Sequence, residues 1–248
     1  HAFHPTQQQQ LAQSSSLKMK RILRITSLLC QCISISHAFH PTSTPPLLDV
    51  PVFSLSTNGN ESSASSRDTM NILTYASPIS IKPHRMWSIS LYKGTMSHEN
   101  FARERRGVLQ MLRPEHAHCK GIGEAGKVGE LIRVLGGSSG RDVDKRSLCA
   151  ELGYEWEALP KSTDDKGELV WPRVLPSCVY YLKLEMMGEL IDCGSHEVAL
   201  CKIVAMVSGE EIENAADELD SLSTRTLRNM SIISELGRVV PLETEIDK

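Results

Sequence analysis

At 248 residues, with 40% of them hydrophobic and a formal net charge of −3, the chain can bury one sizeable core and carries little excess charge. That balance excludes broad charge-driven binding to nucleic acid or to an anionic membrane, and no stretch of the body is long and apolar enough for a membrane-spanning helix. Seven cysteines occur without a C-x-x-C, an odd and scattered set that reads as reduced thiols rather than a disulfide framework.

Residues 1–69 read as a disordered N-terminal region, which leaves about 180 residues for a folded body. The first methionine is Met19, and translation is expected to begin there. The peptide HAFHPT at 1–6 recurs at 37–42, a duplication with no evident physical reason. From Met19, the basic Lys20, Arg21 and Arg24 precede the mostly apolar ITSLLCQCISIS. Ser36-His37-Ala38 then places small residues at the −3 and −1 positions of a cut, the layout of a secretory signal peptide.

The body opens with a strand at 71–75, then a hydroxyl-rich loop holding Ser77 and Ser80 and ending in Lys82-Pro83. In the next strand Trp87, Ile89 and Leu91 alternate with Met86, Ser88, Ser90 and Tyr92, the period-two pattern of a sheet with one buried face. A turn of Lys93, Gly94 and Thr95 leads to a helix over 97–106 with Ser97 as its expected N-cap. Hydroxyls, free amides and a lysine at two strand ends make a cradle suited to a phosphorylated cofactor. VLQML (108–112) reads as a short buried strand, and 113–176 as a long excursion with helices at 127–135 and 141–152. Two long strands follow at 178–191 and 197–207, with Gly194 near their turn. The segment 208–248 is expected to be a helical extension. Leu227, Met230, Ile233 and Leu236 form one stripe there, with Thr224 as the expected cap. That stripe needs cover, so 223–240 is expected to dock outside a small barrel or across a dimer partner, near the cofactor mouth.

Other motifs have plainer readings. Gly121-Ile-Gly123-Glu-Ala-Gly126 matches a dinucleotide fingerprint, but RPEHAHCK before it is no strand, so a flexible insertion is expected. His116-Ala-His118-Cys119 lacks a second ligand pair at zinc spacing and reads as a polar loop. Asp142 and Asp144 are expected to cap a helix and face solvent. No G-x-S-x-G is present, so hydrolase chemistry has no support.

Two blocks carry a family resemblance. Thr74, Ser77, Ser80 and Pro83, followed by Ser97-His98-Glu99-x-Phe101, and the late hairpin with Gly194-Ser195-His196 resemble the flavin reductase-like, FMN-binding split-barrel family. The family's turn is Gly-Asp-His, so Ser195 replaces its acid. The resemblance spans residues 70–207 and implies a mainly β fold with flanking helices, a six-stranded antiparallel Greek-key split barrel. It implies non-covalent FMN held by Thr74, Ala76, Ser77, Ser80, Lys82, Tyr92, Lys93, Gly94 and Ser97. It also implies His196 as the catalytic-site residue, NAD(P)H as electron donor, and a homodimer with the site at or near the subunit interface. The activity implied is an NAD(P)H-dependent flavin reductase-like oxidoreductase. A non-catalytic FMN-binding or interaction module and a pyridoxamine-phosphate-oxidase-like enzyme are the alternatives. The presequence, with Phe39 after the expected cut and a Ser/Thr-rich stretch to 66, resembles the bipartite plastid presequences of algae. It implies a plastid location, with secretion or the cytoplasm as alternatives.

Overall fold

The computed structural model describes residues 47–60, 67–118, 128–159, 171–209, 220–235 and 237–240. Seven strands form one antiparallel sheet: β1 (Phe53–Thr57), β2 (Thr69–Leu73), β3 (Ala76–Ser80), β4 (Met86–Tyr92), β5 (Arg106–Met111), β6 (Tyr180–Cys193) and β7 (His196–Ser208). Helix α1 (Met96–Glu104) joins β4 to β5. Helices α2 (Glu130–Gly137) and α3 (Lys145–Glu151) lie between β5 and β6, and the short α4 (Thr224–Asn229) follows β7.

The strand order is β2-β1-β5-β6-β7-β4-β3. Because β5, β6 and β7 are consecutive while β4 pairs with β7, the connection is a Greek key. The order also dictates closure. Flat, seven strands would span about 29 Å from edge to edge. Yet the two edge strands, β2 and β3, are separated only by Thr74 and Tyr75, which can bridge at most about 11 Å. The sheet must therefore curl until its edges meet at this corner, and the Ser90 amide, donating to the Tyr75 carbonyl (2.9 Å), extends the β3–β4 ladder up to it.

Two apolar clusters result. Inside the curl, Phe53, Leu55, Ile89, Leu91, Leu109, Leu182, Leu184 and Ala199 pack with Phe101 of α1. Outside, Met70, Val108 and Tyr181 meet Leu131, Ile132 and Leu135 of α2, Trp156, and Leu227, Ile232 and Ile233 of the tail. Alternate residues of β5 and β6 serve the two clusters, while β1 turns Phe53 and Leu55 inward and buried Ser54 and Ser56 outward, so these strands are covered on both faces.

Several expectations need correction. Among the described residues the barrel has seven strands, not six, and the first of them lies at Phe53–Thr57, inside the region 1–69 read as disordered. Ser54, Ser56 and Thr57 are polar, yet every residue of β1 is buried, because the excursion covers its outer face. There Gln110 Nε2 donates to Ser54 Oγ at 3.1 Å, and Ser56 Oγ donates to the Arg173 carbonyl. The hydroxyl-rich loop is instead edge strand β3. Helix α1 is capped by Thr95, whose Oγ1 accepts from the His98 amide (3.2 Å), so Ser97 lies within the first turn. Asp144 does cap α3, accepting from the Arg146 and Ser147 amides. In the extension 208–248, residues 210–219 lie outside the described residues, and α4 ends at Asn229 with Ser223 as cap. The Leu227–Leu236 stripe is therefore not one helix. Leu227 and Ile233 are buried in the outer cluster of their own chain, and Leu236 is outside the described residues. The 121–126 glycine pattern and the presequence up to residue 46 also fall outside them.

His116 is not in a polar loop either. It is fully buried, and the Pro176 carbonyl 3.1 Å away can only accept, so Nε2 carries the hydrogen. Nδ1 then accepts from the Arg113 amide (3.0 Å), and burial pushes its pKa down, keeping the ring neutral. This histidine is a seam between β5's exit and the segment before β6.

Candidate functional site

Where the sheet closes, four chain segments end around one opening. They are the β2–β3 corner, the last turn of β4 with Lys93-Gly94, the start of α1, and the first residue of β7. A cavity of about 500 Å³ lies there. Thr74, Tyr75, Tyr92, Ser97, His196 and Arg238 are among its lining residues. A second chamber of about 330 Å³ shares Asn71, Tyr92, Thr95 and Ser97 with it and extends to the Gly136–Gly140 turn and Lys145. No carboxylate lines either chamber among the described residues.

The rim is aromatic. Antiparallel pairing of β4 with β7 sets Tyr92 opposite His196, with ring centroids 5.2 Å apart at 76°. Tyr75, from the closing corner, meets the same imidazole edge-on at 6.0 Å. Both tyrosines are open to solvent, at 63% and 48% exposure, so the three rings offer an apolar, ligand-facing rim rather than core packing. Ser195 Oγ lies 3.0 Å from His196 Nδ1 and orients the ring.

The turn beneath is tightly specified. Gly94 has φ +77°, a conformation that side chains rarely adopt, and it reverses the chain between β4 and α1. Thr95 Oγ1 donates to the Tyr92 carbonyl (2.9 Å) while accepting from His98, which locks strand end to helix start. His98 Nε2 then pairs with Glu197 Oε2 at 2.6 Å, tying α1 to the same strand that carries His196. Lys93 Nζ sits 2.9 Å from Asp192, and the bond to that carboxylate raises the lysine's pKa. Its charge is engaged at the hairpin.

The expected site residues divide into two groups. Thr74, Tyr92, Ser97 and His196 converge on the first cavity, and Tyr92, Lys93, Gly94 and Ser97 on the second. Ala76, Ser77, Ser80 and Lys82 reach neither. Ser77 and Ser80 hydroxyls donate to carbonyls of their own segment, Pro78 and Lys82, and Lys82 is exposed. A phosphate cradle joining Ser77, Ser80 and Lys82 to Ser97 is thus not assembled within this chain. Tyr75, Asn71, Thr69, the 136–140 turn, Lys145 and Arg238 were missed. The run Gly136-Gly-Ser-Ser-Gly140 was the available signal, since such a stretch is a turn able to approach a ligand closely. From the 223–240 segment expected to dock, Gly237, Arg238 and Val239 form one wall of the first cavity.

Among solved structures, flavoredoxin from Methanosarcina acetivorans aligns over 75% of this chain and 86% of its own, at 17% identity and a TM-score of 0.55. The chain has the split-barrel fold. An FMN-binding protein from Thermus thermophilus aligns over 83% and 87% at 15% identity and a TM-score of 0.47. The NADH:FAD oxidoreductase of Streptomyces globisporus C-1027 aligns over 65% and 76% at 13% identity and a TM-score of 0.47. At these scores the fold assignment rests on the flavoredoxin alignment. No family model and no curated protein matches the chain. In this split barrel the two cavities lie at the seam between the edge strands, where the corner, helix and hairpin tip meet.

Proposed function

We propose that this split barrel binds FMN non-covalently at the seam and acts as an NAD(P)H-dependent flavin reductase-like oxidoreductase. The observation that carries this reading is the convergence of Thr74, Tyr75, Tyr92, Ser97 and His196 on one cavity at the closing corner. The residues fit the group. A cavity of about 500 Å³ lies in the range of cofactor sites, its rim is aromatic, and its extension is free of carboxylates among the described residues. FMN, when bound, supplies the hydride chemistry, and the protein supplies orientation and electrostatics. Tyr75, His196 and Tyr92 would bound a flat ring and shield it from water at the mouth. The α1 first turn offers amides without helical partners to an anionic end. His196, held through Ser195, stands where a nicotinamide donor would approach. A non-catalytic flavin-binding module is the second reading, favoured by the 237–239 wall, which narrows access to the cavity.

A homodimer belongs to the same proposal. Met187 and Ile191 of β6, Val204 and Met206 of β7, and Ile79 of β3 are exposed, more apolar surface than a sheet leaves uncovered without reason. Residues 19–46, ahead of β1, are proposed to direct import into a plastid; a fluorescent fusion of that segment that stays out of the organelle would end this part.

The test is direct. Purified protein should carry flavin absorbance or gain thermal stability with FMN. Rapid mixing with NADH and NADPH should bleach the bound flavin, whereas a yellow but inert protein selects the module. A colourless protein unaffected by FMN overturns both.

A further inference from the structure

The second chamber contains groups that the barrel's own packing does not account for. Lys145 is 4% exposed, at the start of α3, with its Nζ donating to the Met70 carbonyl (2.9 Å) and to the Leu135 carbonyl. An ammonium has three N–H donors, so one remains. Lys145 has no ion-pair partner among the described residues, and burial holds its pKa down to about 8. A buried ammonium without a counter-charge is costly, and the cost falls if an anion sits beside it. The other cation at this chamber, Lys93, is already paired with Asp192.

Thr69 provides an independent sign. It is 1% exposed, it lines the same chamber, and its Oγ1 has no hydrogen-bond partner among the described residues. Buried hydroxyls are nearly always satisfied, so this one points to a group the protein does not supply. Opposite stands the start of α1, where the amides of Met96 and Ser97 are among those a helix cannot satisfy internally. The Gly136–Gly140 turn is built for close approach: a Cβ at Gly140 would lie 2.6 Å from Thr69 Oγ1.

We propose that this chamber is a phosphate site, in which the Lys145 ammonium, the Thr69 hydroxyl and the first-turn amides of α1 hold a phosphate dianion. The site stands apart from Ser77, Ser80 and Lys82. It does not require flavin in the first cavity, although the two chambers are continuous enough for one phosphorylated ligand to occupy both. The phosphate therefore comes either from FMN itself or from a second phosphorylated ligand.

Inorganic phosphate is the probe, with thermal stability and phosphorus NMR line width as readouts on the full chain. The wild type should be stabilised and should broaden the phosphate signal. Thr69→Val, which keeps the shape, and Lys145→Met should each weaken binding about tenfold or more, while Lys82→Met leaves it unchanged. Thr69→Val decides the matter should Lys145→Met fail to fold. Competition between FMN and phosphate, with none from riboflavin, assigns the site to the flavin's own phosphate. Simultaneous binding of both assigns it to a second ligand, and each result supports the site. No phosphate effect in the wild type, or one that survives Thr69→Val, overturns it. Riboflavin binding with no phosphate effect would sink this site and leave the flavin reading standing.

Discussion

Two cores share one sheet, and they are built differently. Inside the curl, Phe53, Leu55, Ile89, Leu91, Leu109, Leu182 and Leu184 pack apolar on apolar. On the outer side, Met70, Leu135, Trp156 and Leu175 are interleaved with buried polar groups. Gln110 bonds Ser54 and the Leu175 amide, His116 bonds Pro176, and Lys145 bonds Met70 and Leu135. The inner core needs only alternation and volume. The outer layer depends on hydrogen bonds between segments far apart in sequence, such as Ser56 with Arg173. The cavities open at the seam, where the inner core ends and the outer layer and tail supply the remaining walls.

The largest expected effect is in the inner core. Phe101 is fully buried, and Phe101→Ala should cost about 3–5 kcal/mol through lost burial and a cavity, seen as a lower urea midpoint. A loss below about 1 kcal/mol would mean that the curl does not rely on α1 as its plug.

The next effect distinguishes the outer layer by pH. Lys145 has a pKa of about 8 in the folded chain against an ordinary 10.5. Below pH 8 both states hold the proton, and the folded state bears the full cost of a buried charge. Between pH 8 and 10.5 the unfolded chain binds more protons, so this group's contribution to stability rises with pH, by about 3 kcal/mol in all. The quantity to measure is the wild type minus Lys145→Met. Cys201, whose thiol burial pushes up to about 12, acts in the opposite direction in both proteins and cancels. Saturating phosphate should flatten the rise, because a bound anion keeps the ammonium charged.

Gln110→Leu addresses the hydrogen-bonded character of the outer layer. It leaves the Leu175 amide without its 2.7 Å acceptor in a buried site, and should cost about 1–3 kcal/mol in chemical denaturation. Were the outer layer held by apolar packing alone, this swap would be neutral or stabilising. The smallest effect belongs to the seam. Thr95→Ala removes the cap of α1 and should cost about 1 kcal/mol, while also weakening flavin retention because Thr95 fixes the β4 end to the helix. Unchanged flavin affinity would separate the turn's stability from its role in the site.

The parts legible in the sequence follow this division. Strands β4, β6 and β7 were readable from alternation, and α1 and α3 from their polar starts. β1 was not readable, because FSLST lies in a Ser/Thr-rich stretch with only Phe53 and Leu55 to mark it, and its Ser54–Ser56 face offers no apolar signal. Only a covering layer contributed by Gln110, Arg173 and their neighbours makes that face an interior. β3 was read as a loop because Pro78 and two serines break the apolar rhythm of an edge strand whose side chains are largely exposed.

The same reasoning separates the site residues. Lys93, Gly94 and Ser97 lie close together along the chain, so local pattern could nominate them, while Thr74, Tyr92 and His196 came from the family resemblance. Ser77, Ser80 and Lys82 were nominated on the same grounds, but the β-edge turns their side chains away from both chambers. Tyr75, Thr69, Lys145 and Arg238 come together only when the barrel closes and the excursion and tail dock. The sequence by itself determined the alternation, the Asp144 cap and the hairpin, because these depend on neighbours within a few residues. The tertiary structure alone decided the burial of the polar strand, of the Thr69 hydroxyl and of the Lys145 ammonium, because burial is set by whatever distant segment removes the water.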